Sequence, residues 1–302
     1  PDRGRGRRGR RSVLVVKIVD RLRAEEPVMF RGVATAVPAL PPGIQIVTAD
    51  EVGQWYWGPD QIEWSLDQDF GPLVPPFDAL WIEYTPPAMC RYANGWRPRT
   101  NDGHGFLLLT LRRPDGSWGV TGHHILVARK QLVMSMVSVR MRLSPDGSYD
   151  SHDIVLHDRQ CMADLTATEE DLGLSLGGII DAYSVFWHVP LLAVSLMNCK
   201  NVKLESVTPS AKLSKKHGVA LAEHSKIRLP AGLRGLSTTK AREQGKAGPP
   251  QPLHVVRGHF KTYTEEAPLF GKNTGTYWWG WQARGSSSAG ERKHDYEVGP
   301  RT

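Results

Sequence analysis

Groups able to bind phosphates or carboxylates crowd into one stretch of this chain, His254-Val255-Val256-Arg257-Gly258-His259-Phe260-Lys261-Thr262-Tyr263. Leu269-Phe270-Gly271-Lys272 and Tyr277-Trp278-Trp279-Gly280-Trp281 follow shortly after it. Such a set has two chemical uses. With His254 and His259 as base and acid, and Arg257 and Lys261 on a phosphate, it would make a metal-independent ribonuclease. In an extended strand, however, alternate residues share a face. Positions 254 and 259 differ in parity, so the two imidazoles are expected on opposite sides, with His254, Val256 and Phe260 on the packed one. Arg257, His259, Lys261 and Tyr263 share the other side. They offer charge, donors and a ring to carboxylates, phosphates or the backbone of an extended partner. No residue is assigned a catalytic role.

Other chemistries find less support. His123, His124, His152, Asp153, His157 and Cys161 are a loose set of metal ligands. Neighbours on a strand point apart, so His123 and His124 cannot both face one ion, and the set lacks the tight pair spacing of a zinc knuckle. No metal and no cofactor are expected. A phosphate-binding loop is missing, and the Gly-rich pieces lack the strand–loop–helix context of a dinucleotide fingerprint. Cys199, beside Lys200, is the nearest candidate nucleophile, but it ends an apolar run where a free cysteine packs as a small hydrophobe.

The elements that must position these groups follow from pattern and punctuation. From Phe77 to His157, runs of apolar alternation are separated by two Pro-Asp-Gly-Ser turns, Pro114–Ser117 and Pro145–Ser148. In each, proline presets the turn and glycine supplies the positive φ, so an antiparallel β-meander is expected. Thr166-Ala167-Thr168-Glu169 is a capping-box pattern, and the apolar residues from Leu172 to Phe186 recur at helical spacing. Pro190 is expected to end that helix, with a second short one from Leu191 to Met197. Another short helix is expected over Val15 to Ala24. Helices packed on a meander make an α+β fold, closed by a long-loop β-hairpin over 253–284.

The 302 residues carry a formal net charge of +7. Residues 1–11 hold six arginines against Asp2, and 200–246 hold eleven Lys/Arg against three glutamates, so the rest is acidic. The expected organisation is a poorly defined basic and Pro-rich segment at 1–43 and an α+β domain at 44–202. A basic flexible linker at 203–252, the hairpin at 253–284 and a disordered tail at 285–302 complete it. The first residues show no secretory-type hydrophobic core and no methionine; they are expected to be a truncated or upstream-translated start outside the fold. Within the linker and its surroundings, Lys212, Lys215, Lys216, Arg228 and Arg234 are the candidate nucleic-acid contacts, since basic segments favour polyanions by counterion release. Cys90, Cys161 and Cys199 are isolated, which fits a reducing cytosol. No apolar stretch approaches the roughly 20 residues of a membrane helix, so no membrane partner is expected.

The order of parts now carries a resemblance: a meander, an apolar helix closing on Asn198-Cys199-Lys200-Asn201, a basic linker, then His-x-x-Arg-Gly-His-aromatic-x-x-Tyr with later tryptophans. It resembles a phage- and plasmid-borne family that includes a type V-A anti-CRISPR protein lowering production of the Cas12a effector. The matching positions are His254, Arg257, Gly258, His259, Phe260 and Tyr263, with Trp278 or Trp279 as the later aromatic. Phe260 stands where the family often has tryptophan, and Leu269 to Lys272 is an insertion. The match is best over 254–284 and weaker over 76–202. The resemblance implies a mobile-element regulator that binds a protein segment, nascent on the ribosome, with RNA as a further contact. The binding set becomes His254, Arg257, Gly258, His259, Lys261, Tyr263, Trp278 and Trp279. The competing expectations are a sequence-tolerant RNA/DNA-binding protein and the ribonuclease on His254 and His259.

Overall fold

The computed structural model describes residues 17–57, 70–92, 95–99, 101–157, 176–230, 252–256, 258–280, 282–284 and 286–291. Its early strands are β1 (Val28–Phe30), β2 (Val33–Thr35), β3 (Gln45–Thr48) and β4 (Ala79–Tyr84), with β5 (Met89–Tyr92) and β6 (Gly95–Pro98) as a separate hairpin. The meander is β7 (Gly103–Arg112), β8 (Trp118–Ala128), β9 (Gln131–Leu143) and β10 (Tyr149–Leu156). With β11 (Lys203–Val207) and β12 (His224–Arg228), the main sheet has ten strands in the order β11-β12-β3-β4-β7-β8-β9-β1-β2, and β10 also pairs with β9.

Both Pro-Asp-Gly-Ser turns form as their residues dictate. Gly116 and Gly147 hold φ of 79° and 84°. Their N–H groups donate to Arg113 and Ser144 carbonyls at 2.9 Å. Asp115 and Asp146 each accept the N–H of the serine two residues on, also at 2.9 Å. The result is antiparallel β7–β8–β9–β10, as the sequence predicts.

Helices cover both faces of the sheet. On one, α3 (Leu176–Met197; α1 and α2 precede it) lays Trp187, Leu192 and Leu196 on Ile82, Phe106 and Leu108. On the other, α1 (Ile18–Arg23) packs Ile18 and Val19 on Trp81, Leu107 and Ile125. Buried Glu83 ties α1 down, accepting from Val19 N–H at 3.2 Å and Trp81 Nε1–H at 2.8 Å. Burial pushes its carboxyl upward in pKa against the pull of these donors and of Lys17. A short α2 (Asp50–Tyr56) links β3 to the loops above the sheet. Among the described residues no helix is long and apolar enough to cross a membrane.

Four expectations need correction. Pro190 does not end the helix; α3 runs through it. A mid-helix proline costs about 3 kcal/mol, but Trp187 through Leu196 are nearly all buried against the sheet, and that apolar contact holds the helix together across it. Residues 203–228 are not a flexible linker. They form β11, then α4 (Ala211–His217), then β12, which joins the sheet parallel to β3. Only Ile227 and His224 of β12 are buried; the strand is held mainly by main-chain pairing, which leaves little hydrophobic signal. Likewise β1 and β2 come from the segment expected to be poorly defined, and Ser286–Glu291, expected to be disordered, forms β17 beside β13 (Pro252–Val256). The Thr166–Glu169 capping box lies outside the described residues.

The terminal hairpin forms in part. β14 (His259–Tyr263) pairs with β15 (Gly275–Trp279), and β13 pairs with β16 (Gln282–Arg284). The pairs His254↔Arg284, Val256↔Gln282, His259↔Trp279 and Tyr263↔Gly275 keep one constant register. The two short sheets are therefore one ribbon, interrupted beside Gly258 and Gly280.

Candidate functional site

The ribbon is fixed to the body through one strand and one face. Asn201, just past α3, mimics a strand partner: its Nδ2–H donates to Trp278 O at 2.7 Å and its Oδ1 accepts Trp278 N–H at 2.9 Å. Lys200 N–H donates to Thr276 O at 2.9 Å. Trp278, 3% exposed, meets Trp55 edge-on at 5.5 Å and Phe260 at 4.7 Å. A Cβ on Gly258 would stand 2.7 Å from the Trp278 ring, and one on Gly71 would stand 2.7 Å from Phe260, so both rings seat only against glycine.

These contacts determine where the ribbon's remaining groups point. In an antiparallel pair a residue's N–H and C=O point the same way, and opposite residues alternate between bonded and non-bonded pairs. Trp278 directs both groups at Asn201, away from β14, so Phe260 and Thr262 direct theirs to the far edge of β14. Among the described residues no strand pairs with that edge. On the face away from Phe260 and Trp278 stand His259, Lys261 and Tyr263, joined by Tyr277 and Trp279 from β15. His259 and Lys261 are exposed, and the three rings are half-buried. Lys261 Nζ lies 4.9 Å from the Tyr263 ring centroid, and Tyr263 meets Tyr277 edge-on at 5.8 Å.

The tip of the ribbon is also exposed. Leu269 and Asn273 exchange two main-chain bonds at 2.7 and 3.0 Å, leaving Phe270, Gly271 and Lys272 as the turn. Phe270 adopts φ 53°, a left-handed conformation that its Cβ disfavours, and is 81% exposed.

The sequence-derived set is thus partly assembled. His259, Lys261 and Tyr263 come together on the open face. Trp278 does not belong with them; it is a core residue, because alternation along β15 turns it towards Phe260 and Trp55. Trp279 stays on the open face, its indole Nε1 buried without a hydrogen-bond partner. Gly258 serves ring packing. His254 lies on β13, its side chain outside the described residues, as is Arg257 altogether. The residues that sequence reasoning missed are Lys200 and Asn201, which anchor β15, and Tyr277, whose cross-strand register with Lys261 would have revealed it.

The candidate nucleic-acid residues separate in the same way. Lys212, Lys215 and Lys216 are exposed on α4, a helix with no buried residue, capped by Ser210 and ended by Gly218 at φ 70°. Arg228, by contrast, is engaged by Glu51 and Glu205, which flank it from α2 and β11, and it does not present a free cation. Arg234 lies outside the described residues.

A second group of imidazoles lies between the sheet and α3. His104 Nδ1 and His124 Nε2 are 3.0 Å apart, one donating and the other accepting, and both rings stack with Phe106. Tyr56 Oη meets His188 Nδ1 at 2.6 Å. Burial lowers the pKa of His104 to about 3 and that of His188 to about 4. It holds His124 well below its ordinary value, with neighbouring His104 adding to the effect. These are neutral packing groups. His123, next in sequence, points to the opposite face, as its strand position requires. Cys199 is buried and its thiol is pushed up to about 12 by desolvation, as fits a packed cysteine.

Compared with protein-family models, with curated proteins and with solved structures, the chain matches none.

Proposed function

We propose that this chain is a non-enzymatic binding protein that captures an extended protein segment on its terminal ribbon. One observation carries the reading. A ribbon fastened through Trp278 and Asn201 displays His259, Lys261, Tyr263, Tyr277 and Trp279 on one face, beside an edge of β14 with which no strand pairs among the described residues. An added strand would take its main-chain bonds from Phe260 and Thr262, and its alternate side chains would meet the cations and rings. The partner that fits is therefore extended, with carboxylate and aromatic side chains on one face. The sequence resemblance implies a nascent protein segment as the target. The exposed Phe270 supports the reading further, because residues held in sparsely populated backbone regions cluster at binding sites.

The test is affinity capture from translating cells, half of each sample treated with nuclease. Protein partners retained after treatment and lost in the doubly substituted His259→Ala, Lys261→Glu chain are expected. Partners that vanish with nuclease, or that the substituted chain still holds, would overturn it.

The three exposed lysines of α4 favour a second reading, a sequence-tolerant nucleic-acid binder. That activity would fall steeply as salt rises, through released counterions, and would respond to Lys212, Lys215 and Lys216 while ignoring Lys261.

A further inference from the structure

Charge is buried under α1 without the contacts that would offset it. Glu83, 6% exposed, takes its hydrogen bonds from Val19 N–H and Trp81 Nε1–H, not from a cation. Lys17, at the head of α1, buries its Nζ with no hydrogen-bond partner among the described residues. Around this pair stand Asp20 on α1, Asp50 on α2, and His224 and Lys226 on β12. Lys226 opposes the charge on Lys17, and Asp20 opposes that on Glu83. Taking two ions out of water costs more than their mutual attraction returns unless each is well paired. With six residues α1 is too short to persist alone. It stays through Ile18 and Val19, and through Asp20 Oδ1, which accepts Ala222 N–H at 2.7 Å.

We propose that α1 is a pH-gated strap over the sheet, held least firmly near neutrality, where Lys17 and Glu83 are both charged, and more firmly once either charge is removed. Desolvation raises Glu83 to about 7 and lowers Lys17 to about 8. A carboxyl raised above its ordinary 4.5 lets the docked form hold an extra proton, so docking strengthens as pH falls from about 7 towards 4.5. An ammonium lowered from 10.5 makes the docked form release one, so docking strengthens as pH rises from about 8 towards 10.5. His224 works the other way in acid, because burial holds it below its ordinary 6.5. Lifting α1 would bare Trp81, Leu107 and Ile125, so the ionisation of one buried pair governs the exposure of an apolar sheet face.

Hydrogen exchange of the full chain tests this. The Val19 and Ala24 amides donate to Glu83 Oε2 and Asp20 O, and report on the docked helix. Their protection should be lowest near pH 7.5 and rise about tenfold or more by pH 9.5. In the His224→Gln chain a similar rise is expected by pH 5.5. At pH 7.5 the doubly substituted Lys17→Met, Glu83→Gln chain keeps an acceptor for Val19 and Trp81. It should exceed the parent about tenfold or more and lose the pH dependence, while the α3 amides stay as they were. If that chain fails to fold, the profiles of the other two decide. A maximum near pH 7.5, a flat profile in the parent, or protection no higher in the double variant would overturn the proposal.

Discussion

Histidine and aromatic rings are concentrated twice in this protein, under α3 and along the terminal ribbon, and the two places treat them in opposite ways. Under α3, His104, His124 and His188 are enclosed by Tyr56, Tyr84, Phe106, Phe186 and Trp187, and burial holds the imidazoles neutral. On the ribbon, Trp278 and Phe260 provide the buried half, while His259, Lys261 and Tyr263 remain towards solvent. Identical residue types thus act as packing in one region and as a display in the other. What separates them is whether a second layer covers them: α3 lies over the first, and nothing described lies over the second.

The widest gap between the regions should appear in acid. The three enclosed imidazoles have folded-state pKa values below the ordinary 6.5, so the unfolded chain binds more protons once pH drops under that value. Each then removes stability as pH falls from roughly 6.5 towards its folded value, about 4 for His188 and about 3 for His104. Denaturant midpoints measured from pH 7 to pH 4.5 should decline steeply, and His104→Phe should flatten the decline. A flat profile in the unsubstituted chain would mean that these rings reach water.

Next in size is the ribbon's own buried half. Trp278→Ala should cost about 3–5 kcal/mol, whereas Tyr277→Ala, one residue away on the open face, should cost well under 1 kcal/mol. Comparable losses from the two would erase the distinction between faces. Asn201→Ala should cost about 1–3 kcal/mol by leaving the Trp278 N–H and C=O without their partner. Hydrogen exchange should then speed up in β15 while β8 and β9 stay protected.

The smallest effect has the opposite sign. Phe270→Asn places a residue tolerant of left-handed φ at the tip and should raise stability by up to about 1 kcal/mol. Thermal melts would read this, and capture of the protein partner should weaken in the same variant. A variant both more stable and equally able to bind would remove the tip from the recognition surface.

Much of the meander is decided locally. Pro-Asp-Gly-Ser encodes its own turn through one fixed φ, one glycine and one aspartate–serine contact, so the four strands could be drawn before any packing was known. The same holds for the alternation of faces along β14 and for the opposed directions of His123 and His124, since side chains alternate along any strand. Residues 203–228 were illegible for a complementary reason: β12 is held by main-chain bonds to β3 and by Glu51 and Glu205 around Arg228, contacts between segments far apart in the chain.

Sequence alone determined that the meander and ribbon segments are strands, that their side chains alternate, and that charge and rings gather near the C-terminus. Only the tertiary structure decided which alternating set lies against another layer: Asn201 and Trp55 take Trp278 inward, and Lys261 is thereby left outside. Periodicity follows from the covalent geometry of a short stretch of backbone. Burial depends on what another part of the chain brings to that surface, and no window of local residues contains that information.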